Sequence, residues 1–329
     1  MVGLEMNDRA PLSLKKKIAF SLVVVCGFLF LAEVAARIIG LGQKKEVADY
    51  IANWKRQWDS DFYLMDLSLV GPETGINYDG LRDVPHELER KPGFRRIACI
   101  GDSVTAGYGV ALFESYPLIM EKALMEQGHK VEVFNIALPG WSTRQESIAY
   151  ERIARKYKPD QVILGFCLND VAEMQNNLMM QQPSAITSFL YENSNVVRWI
   201  MRPHAHEIQR VEDLFDESEA PEIASGWELC FEEILRLKNI TQTDGVDFAV
   251  IVFPFRFQVA DDAPSPIAQR KLEEFCKQHE ITFLDTLPAI LPLKESGYFD
   301  HDHFSARGAT AVSNQLIENK LPIVLHKQE

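Results

Sequence analysis

The stretch Ile97-Ala-Cys-Ile-Gly-Asp-Ser103-Val-Thr-Ala-Gly107 decides how the rest of the chain is read. An apolar run of strand character stops at Gly101, and the polar residues after it place Ser103 in a turn ahead of a helical pattern expected from about Leu112. Such a turn lifts a serine hydroxyl clear of the backbone. It also sets the serine's own N–H at a helix start, where developing negative charge is stabilised.

Outward from this stretch, the chain from Arg95 alternates strand and helix patterns. Strands are expected at Ile97–Ile100, Val131–Ile136, Gln161–Phe166, Val246–Phe253 and Ile281–Leu284. Helices are expected between them, at Phe113–Gln127, Arg144–Tyr157, Trp227–Ile240, Ser265–His279 and Ala306–Ile317. This rhythm predicts an α/β fold: a three-layer α/β/α sandwich on a mainly parallel five-stranded sheet, because parallel strands require crossover connections. Ligands on such sheets gather at the carboxyl ends of the strands. That rule singles out Ser103, the loop around Gly140, Asn169-Asp170 and the residues after the last strand. Residues 171 to 225 break the rhythm with a Met- and Gln-rich piece, a helical candidate from Tyr191 to Met201 and an acidic run from Glu207 to Glu222. They are expected to be an insertion at the rim of the site, with the acidic run as a solvated face.

Upstream, Lys15-Lys16-Lys17 lead into an apolar run over 18–41, long enough to span a bilayer. The favoured reading is an uncleaved signal anchor with 1–17 cytoplasmic and the rest of the chain extracytoplasmic. A cleaved signal, with Ala32 and Ala35-Ala36 near the processing site, and a peripheral or buried helix are the alternatives. Glu33 and Arg37 stand at i,i+4 spacing, suited to pairing on one face. Residues 42–94 read as an approach segment packed on the domain that follows at 95–329, with Trp54, Trp58, Phe62 and Tyr63 and a turn-rich Asn77-Tyr-Asp-Gly80. Packing is the plain role for these aromatics, and carbohydrate stacking the competing one.

Composition narrows the class. With 47% apolar residues among 329, the chain can bury a proper core. A formal charge of −13 argues against a nucleic-acid partner. Five cysteines without a CxxC pair supply neither a zinc framework nor a disulfide scaffold, and they read as buried thiols.

Four motifs fall where the expected fold places a site. They are Gly101-Asp-Ser103-Val-Thr-Ala-Gly107, Asn135-Ile-Ala-Leu-Pro-Gly140-Trp-Ser, Gly165-Phe-Cys-Leu-Asn169-Asp170 and Asp300-His-Asp-His303. In this order the chain, over about residues 95–320, resembles the SGNH (GDSL-like) hydrolase superfamily. The third motif is longer than the family's by one residue, which a strand ending one residue later absorbs. The resemblance implies a flavodoxin-like SGNH fold, a catalytic set of Ser103, His303 and Asp300, and an oxyanion hole made by the backbone N–H groups of Ser103 and Gly140 and the amide of Asn169. It implies no cofactor and no metal.

The chemistry agrees with those residue types. A serine hydroxyl needs a base within hydrogen-bond reach, histidine titrates in a suitable range, and an aspartate can orient the imidazole. Asp302 competes with Asp300 for that last role. Capping by Ser103, a strand-to-helix cap at Asn169-Asp170, and metal binding by His301, Asp302 and His303 with His204 and His206 are the plainer readings. Gly107-Tyr-Gly109 hints at a dinucleotide loop, but Leu112 stands where the third glycine is required.

The expected function is hydrolysis of an ester, with an acetyl or other short acyl group, through an acyl-serine. The substrate would be a small molecule, a lipid or a glycan. The rivals are an O-acetyltransferase acting on an envelope glycan and a non-catalytic envelope binding module.

Overall fold

Arg95–Gly101 (β3) is buried over nearly its whole length, as expected of a strand in the interior of a parallel sheet. The computed structural model describes residues 13–41, 56–59, 62–173, 186, 189–190, 193–200, 203–216, 218 and 220–322, except the side chains of 56–59, 172–173 and 203–207. Two antiparallel strands, Arg56–Asp59 (β1) and Phe62–Met65 (β2), precede β3. After it come Val131–Ala137 (β4), Gln161–Cys167 (β5), Asp247–Phe253 (β6) and Thr282–Asp285 (β7). The five form one sheet in the order β4-β3-β5-β6-β7, and every neighbouring pair is parallel.

Strand β5 runs to Cys167, one residue past its expected end, and so accommodates the extra residue before Asn169. The long helices fall at Tyr116–Glu126, Thr143–Arg152, Pro221–Thr243, Ile267–Gln278 and Ala306–Glu318. The last buries Ala309, Val312 and Leu316 on one stripe, and Ser305 caps it by accepting from the Gly308 N–H at 3.3 Å.

Of the elements not foreseen, two bear on the candidate site. A single helical turn, Ser103–Ala106, begins at the serine itself instead of waiting for the pattern near Leu112. Periodicity cannot reveal one turn; what makes it is Asp102, whose carboxylate accepts from the Val104 N–H at 2.9 Å. Gly107, in left-handed conformation, ends it. The second is the β1–β2 hairpin in the approach segment, where no alternating pattern announces it.

The chain divides into two compact units, residues 1–45 with 183–203, and residues 46–182 with 204–329. In the first, the helix Leu14–Ile38 is long and apolar enough to cross a membrane, and its apolar window is unburied. Arg37 pairs with Glu33 at 2.8 Å, and Glu33 also accepts from the Ser194 hydroxyl at 2.7 Å and the Asn195 and Val196 N–H groups at 2.9 and 3.1 Å. Part of the 171–225 interval therefore belongs with this helix. The Met- and Gln-rich piece lies outside the described residues. The acidic run is more than a solvated face: the helix Pro203–Glu212 and the turn after it bury Val211, Leu214 and Phe215 in the second unit.

Candidate active site

Three features stand at the carboxyl ends of β3, β4 and β5, and a loop from the far end of the chain packs against the first of them. The first is the Ser103 turn. Thr105 is fully buried beneath it, and a Cβ on Gly101 or on Gly165 would stand 2.2 or 2.4 Å from the Thr105 hydroxyl oxygen. Glycine at both positions lets the turn settle directly on β3 and β5. Because Asp102 supplies the cap, the Ser103 hydroxyl is not used as one; it donates to the other Asp102 oxygen at a long 3.3 Å. Ser103 is 7% exposed.

The second is the loop after β4. Gly140 has φ +81°, a left-handed conformation that favours glycine. Pro139 and Trp141 on either side are held by β2: the Tyr63 hydroxyl donates to the Pro139 carbonyl at 2.7 Å, and the Trp141 indole N–H donates to the Tyr63 carbonyl at 3.1 Å. The third is Asn169, at the start of the short helix after β5 and 6% exposed. Its neighbour Asp170 is fully buried and accepts from the Thr143 hydroxyl at 2.8 Å, tying the helix Thr143–Arg152 to this turn. Burial, with the charge of Asp102 added, pushes the Asp170 carboxyl well above its ordinary value.

The fourth is the loop between Tyr298 and Phe304, which pair as an isolated bridge. It is pinned to the end of β6 by the Tyr298 hydroxyl, which donates to the Pro254 carbonyl at 2.9 Å, and by the Arg256 N–H, which donates to the His301 carbonyl at 2.8 Å. His303 is buried, and its Nδ1 lies 2.9 and 3.0 Å from the two oxygens of Asp300. Asp300 also accepts from the His303 N–H at 3.1 Å. Asp302 is not turned away as adjacent residues usually are: one of its oxygens is 2.9 Å from the same Nδ1. His303 Nε2 is buried with no hydrogen-bond partner among the described residues.

Burial alone would lower the His303 pKa, but the charge of Asp302 and the hydrogen bonds of Asp300 outweigh it and raise the imidazole well above its ordinary value. Burial likewise works against the Asp300 carboxylate, yet its bonds to His303 hold it well below the usual range.

Contacts join this loop to the Ser103 turn. The Tyr108 N–H donates to the Ser103 carbonyl at 3.0 Å, and the Tyr108 ring lies 4.3 Å from the His303 ring, centroid to centroid. Gly109 has a packing reason: a Cβ there would stand 2.5 Å from the Phe299 ring. The glycines that hinted at a dinucleotide loop instead let the two ends of the site approach. Asp300, His301 and Asp302 also place ligand atoms within 4.8 Å of one another, but Asp300 is engaged by His303. The side chains of His204 and His206 lie outside the described residues.

Residues 99–311 match the GDSL-like Lipase/Acylhydrolase family. The chain belongs to that family. It is 27% identical over 128 residues to an arylesterase from Vibrio mimicus, covering 36% of this chain and 61% of that protein, so it spans about three-fifths of the length of this curated relative. Among solved structures it is similar to TesA, at TM-score 0.46 and 11% identity over 68% of this chain and 97% of that one. It is also similar to a catalytic mutant of the acetylxylan esterase Axe2 from Geobacillus stearothermophilus, at TM-score 0.45 and 16% identity over 71% and 97%.

Two contributors come from the approach segment: Tyr63, expected there only as a packing aromatic, and Arg82, which no pattern singles out and whose guanidinium donates to the Ala106 carbonyl at 2.8 Å. The one signal near Arg82 is the turn Asn77-Tyr-Asp-Gly80 just ahead of it, which marks a fold-back but not its target.

Proposed function

We propose that this member of the family is a serine esterase that cleaves a short-acyl ester through an acyl-serine. The observation that carries the reading is His303, held at Nδ1 by Asp300 with a buried Nε2 left open, on a loop packed through Tyr108 against the turn that bears Ser103. With Asp300 on Nδ1, the neutral imidazole keeps its proton there and offers the Nε2 lone pair as base.

Ser103 Oγ bonds to the acyl carbon as its proton passes to Nε2. The carbonyl π-electrons move onto oxygen, where the N–H groups of Ser103 and Gly140 and the Asn169 amide are the candidate donors. Collapse breaks the bond to the alcohol oxygen, which takes the proton from Nε2. Water then repeats the sequence and releases the acid. The named activity of the arylesterase relative suits such an ester.

The reading extends to location. The lysines at 15–17 and the apolar helix Leu14–Ile38 support a membrane anchor with the second unit on the extracytoplasmic side.

The test is capture by a fluorophosphonate with p-nitrophenyl acetate turnover. Covalent labelling of the wild type, lost in Ser103→Ala along with turnover, is the expected result. An unlabelled, folded wild type or an active Ser103→Ala overturns the reading.

A further inference from the structure

We propose that residues 62–83, ahead of the family-matched residues, are part of the catalytic apparatus, with Arg82 and Tyr63 as positioning residues for the Ser103 turn and the Gly140 loop. The proposal rests on Ser103 being the nucleophile.

Arg82 is 4% exposed. Its guanidinium donates to the carbonyls of Ala106 and Gly107 at 2.8 and 3.0 Å and to that of Val110 at 2.6 Å. The first two are carbonyls at the end of the turn that starts at Ser103. A one-turn helix has almost no internal hydrogen bonds, so external donors at its exit set where its first residue stands. A cation at a helix exit also favours the dipole. The fit leaves no slack: at Gly107, φ +76°, a Cβ would stand 2.9 Å from an Arg82 nitrogen and 2.7 Å from Ser115 Cβ.

Tyr63 brackets Gly140 from both sides, its hydroxyl on Pro139 and its carbonyl on Trp141. The Phe62 ring lies 5.1 Å from that of Trp141 and adds packing to the bracket.

The two contacts belong to one body. The Met65 N–H donates to the Gly80 carbonyl at 3.1 Å, and the Asn77 side chain accepts from the N–H groups of Asp79 and Leu81 at 3.0 and 3.2 Å. Asp83 then accepts from the Asn135 N–H at 2.8 Å, on the outer edge of β4 just before the oxyanion loop. One folded segment thus spans the nucleophile turn, the edge strand and the second oxyanion donor, and a shift in it moves both donors relative to each other.

The experiment compares Tyr63→Phe and Arg82→Gln with Arg90→Gln, in the full chain. Arg90 lies further along the approach segment and is bonded to both Asp160 oxygens at 2.9 and 2.8 Å, at the opposite end of the sheet. Read out are kcat and KM on p-nitrophenyl acetate, the rate constant for fluorophosphonate capture, and Tm. The expected result is a loss of roughly tenfold or more in kcat and capture rate for both site variants, with KM within about twofold, since misplacement of reacting groups by about 1 Å costs up to about a hundredfold. Arg82→Lys should recover part of the rate. Arg90→Gln should lower Tm and leave kcat alone. Wild-type kcat and capture rates in the site variants, with only a Tm loss like that of Arg90→Gln, overturn the proposal. If Arg82→Gln does not fold, Tyr63→Phe decides, because it deletes one oxygen and keeps the ring. An unlabelled wild type would remove the nucleophile reading and this proposal with it; a labelled wild type with unaltered variants removes this proposal alone.

Discussion

The second unit buries an arginine at each end of its sheet, and the two are used differently. At the amino ends of the strands, Arg96 is 1% exposed; it pairs with Glu132 at 2.8 Å and donates to the carbonyls of Glu87, Leu88, Glu89 and Tyr157. At the carboxyl ends, Arg82 gathers the carbonyls of residues 106, 107 and 110. Arg96 welds the approach segment to the sheet, far from the chemistry. Arg82 holds a turn whose exact placement the reaction needs. A buried guanidinium is tolerated at either end because backbone carbonyls accept from it, and on the positioning proposal only the carboxyl end converts that rigidity into rate.

The contrast can be broken most severely at the carboxyl end. His303→Ala removes the base and should cost roughly 10⁴-fold in kcat with the fold retained, checked by turnover and circular dichroism. A smaller loss would reassign the base. Next in size is Arg96→Ala, which leaves Glu132 with Lys91 alone, at 2.9 Å, and takes the buried donor from the carbonyls of Glu87, Leu88, Glu89 and Tyr157; it should destabilise by about 3 kcal/mol in urea titrations, while the folded fraction keeps its kcat. A drop in kcat without a drop in stability would erase the distinction between the two ends. Asn169→Ala should lower kcat by roughly 10²-fold through loss of one oxyanion donor, with KM little changed.

The smallest effect sharpens the roles of the two aspartates on Nδ1. Below the raised pKa of His303, Nε2 carries a proton and cannot accept one, so kcat/KM should climb with pH through a value above that of ordinary histidine. Asp302→Asn removes a negative charge 2.9 Å from Nδ1; the pKa falls and the rising limb moves to lower pH. Asp300→Asn should cost rate at every pH by loosening the ring. An unmoved limb in Asp302→Asn would show that Asp302 is electrically silent.

The parts of the site that follow strands were legible because two local signals coincide there. A run as short as Ile97–Ile100, bounded at once by a glycine and polar residues, reads as a buried strand with its exit rather than as a helix, which needs a longer run. That reading singled out Ser103, the loop around Gly140 and Asn169-Asp170, whereas His303 was named by the resemblance carried by Asp300-His-Asp-His303. The one-turn helix at Ser103 was not legible, because its cause is a single side-chain bond from Asp102.

By itself, then, the sequence determined the order of the five parallel strands along the chain, the residues at their carboxyl ends and the class of chemistry those residues suit, since hydrophobic period and residue type are local properties. Only the tertiary structure decided that both Asp300 and Asp302 meet His303 Nδ1, that Gly109 yields to Phe299, and that Tyr63 and Arg82 reach into the site. These depend on which segments fold against one another across long separations, and no local pattern encodes such a meeting.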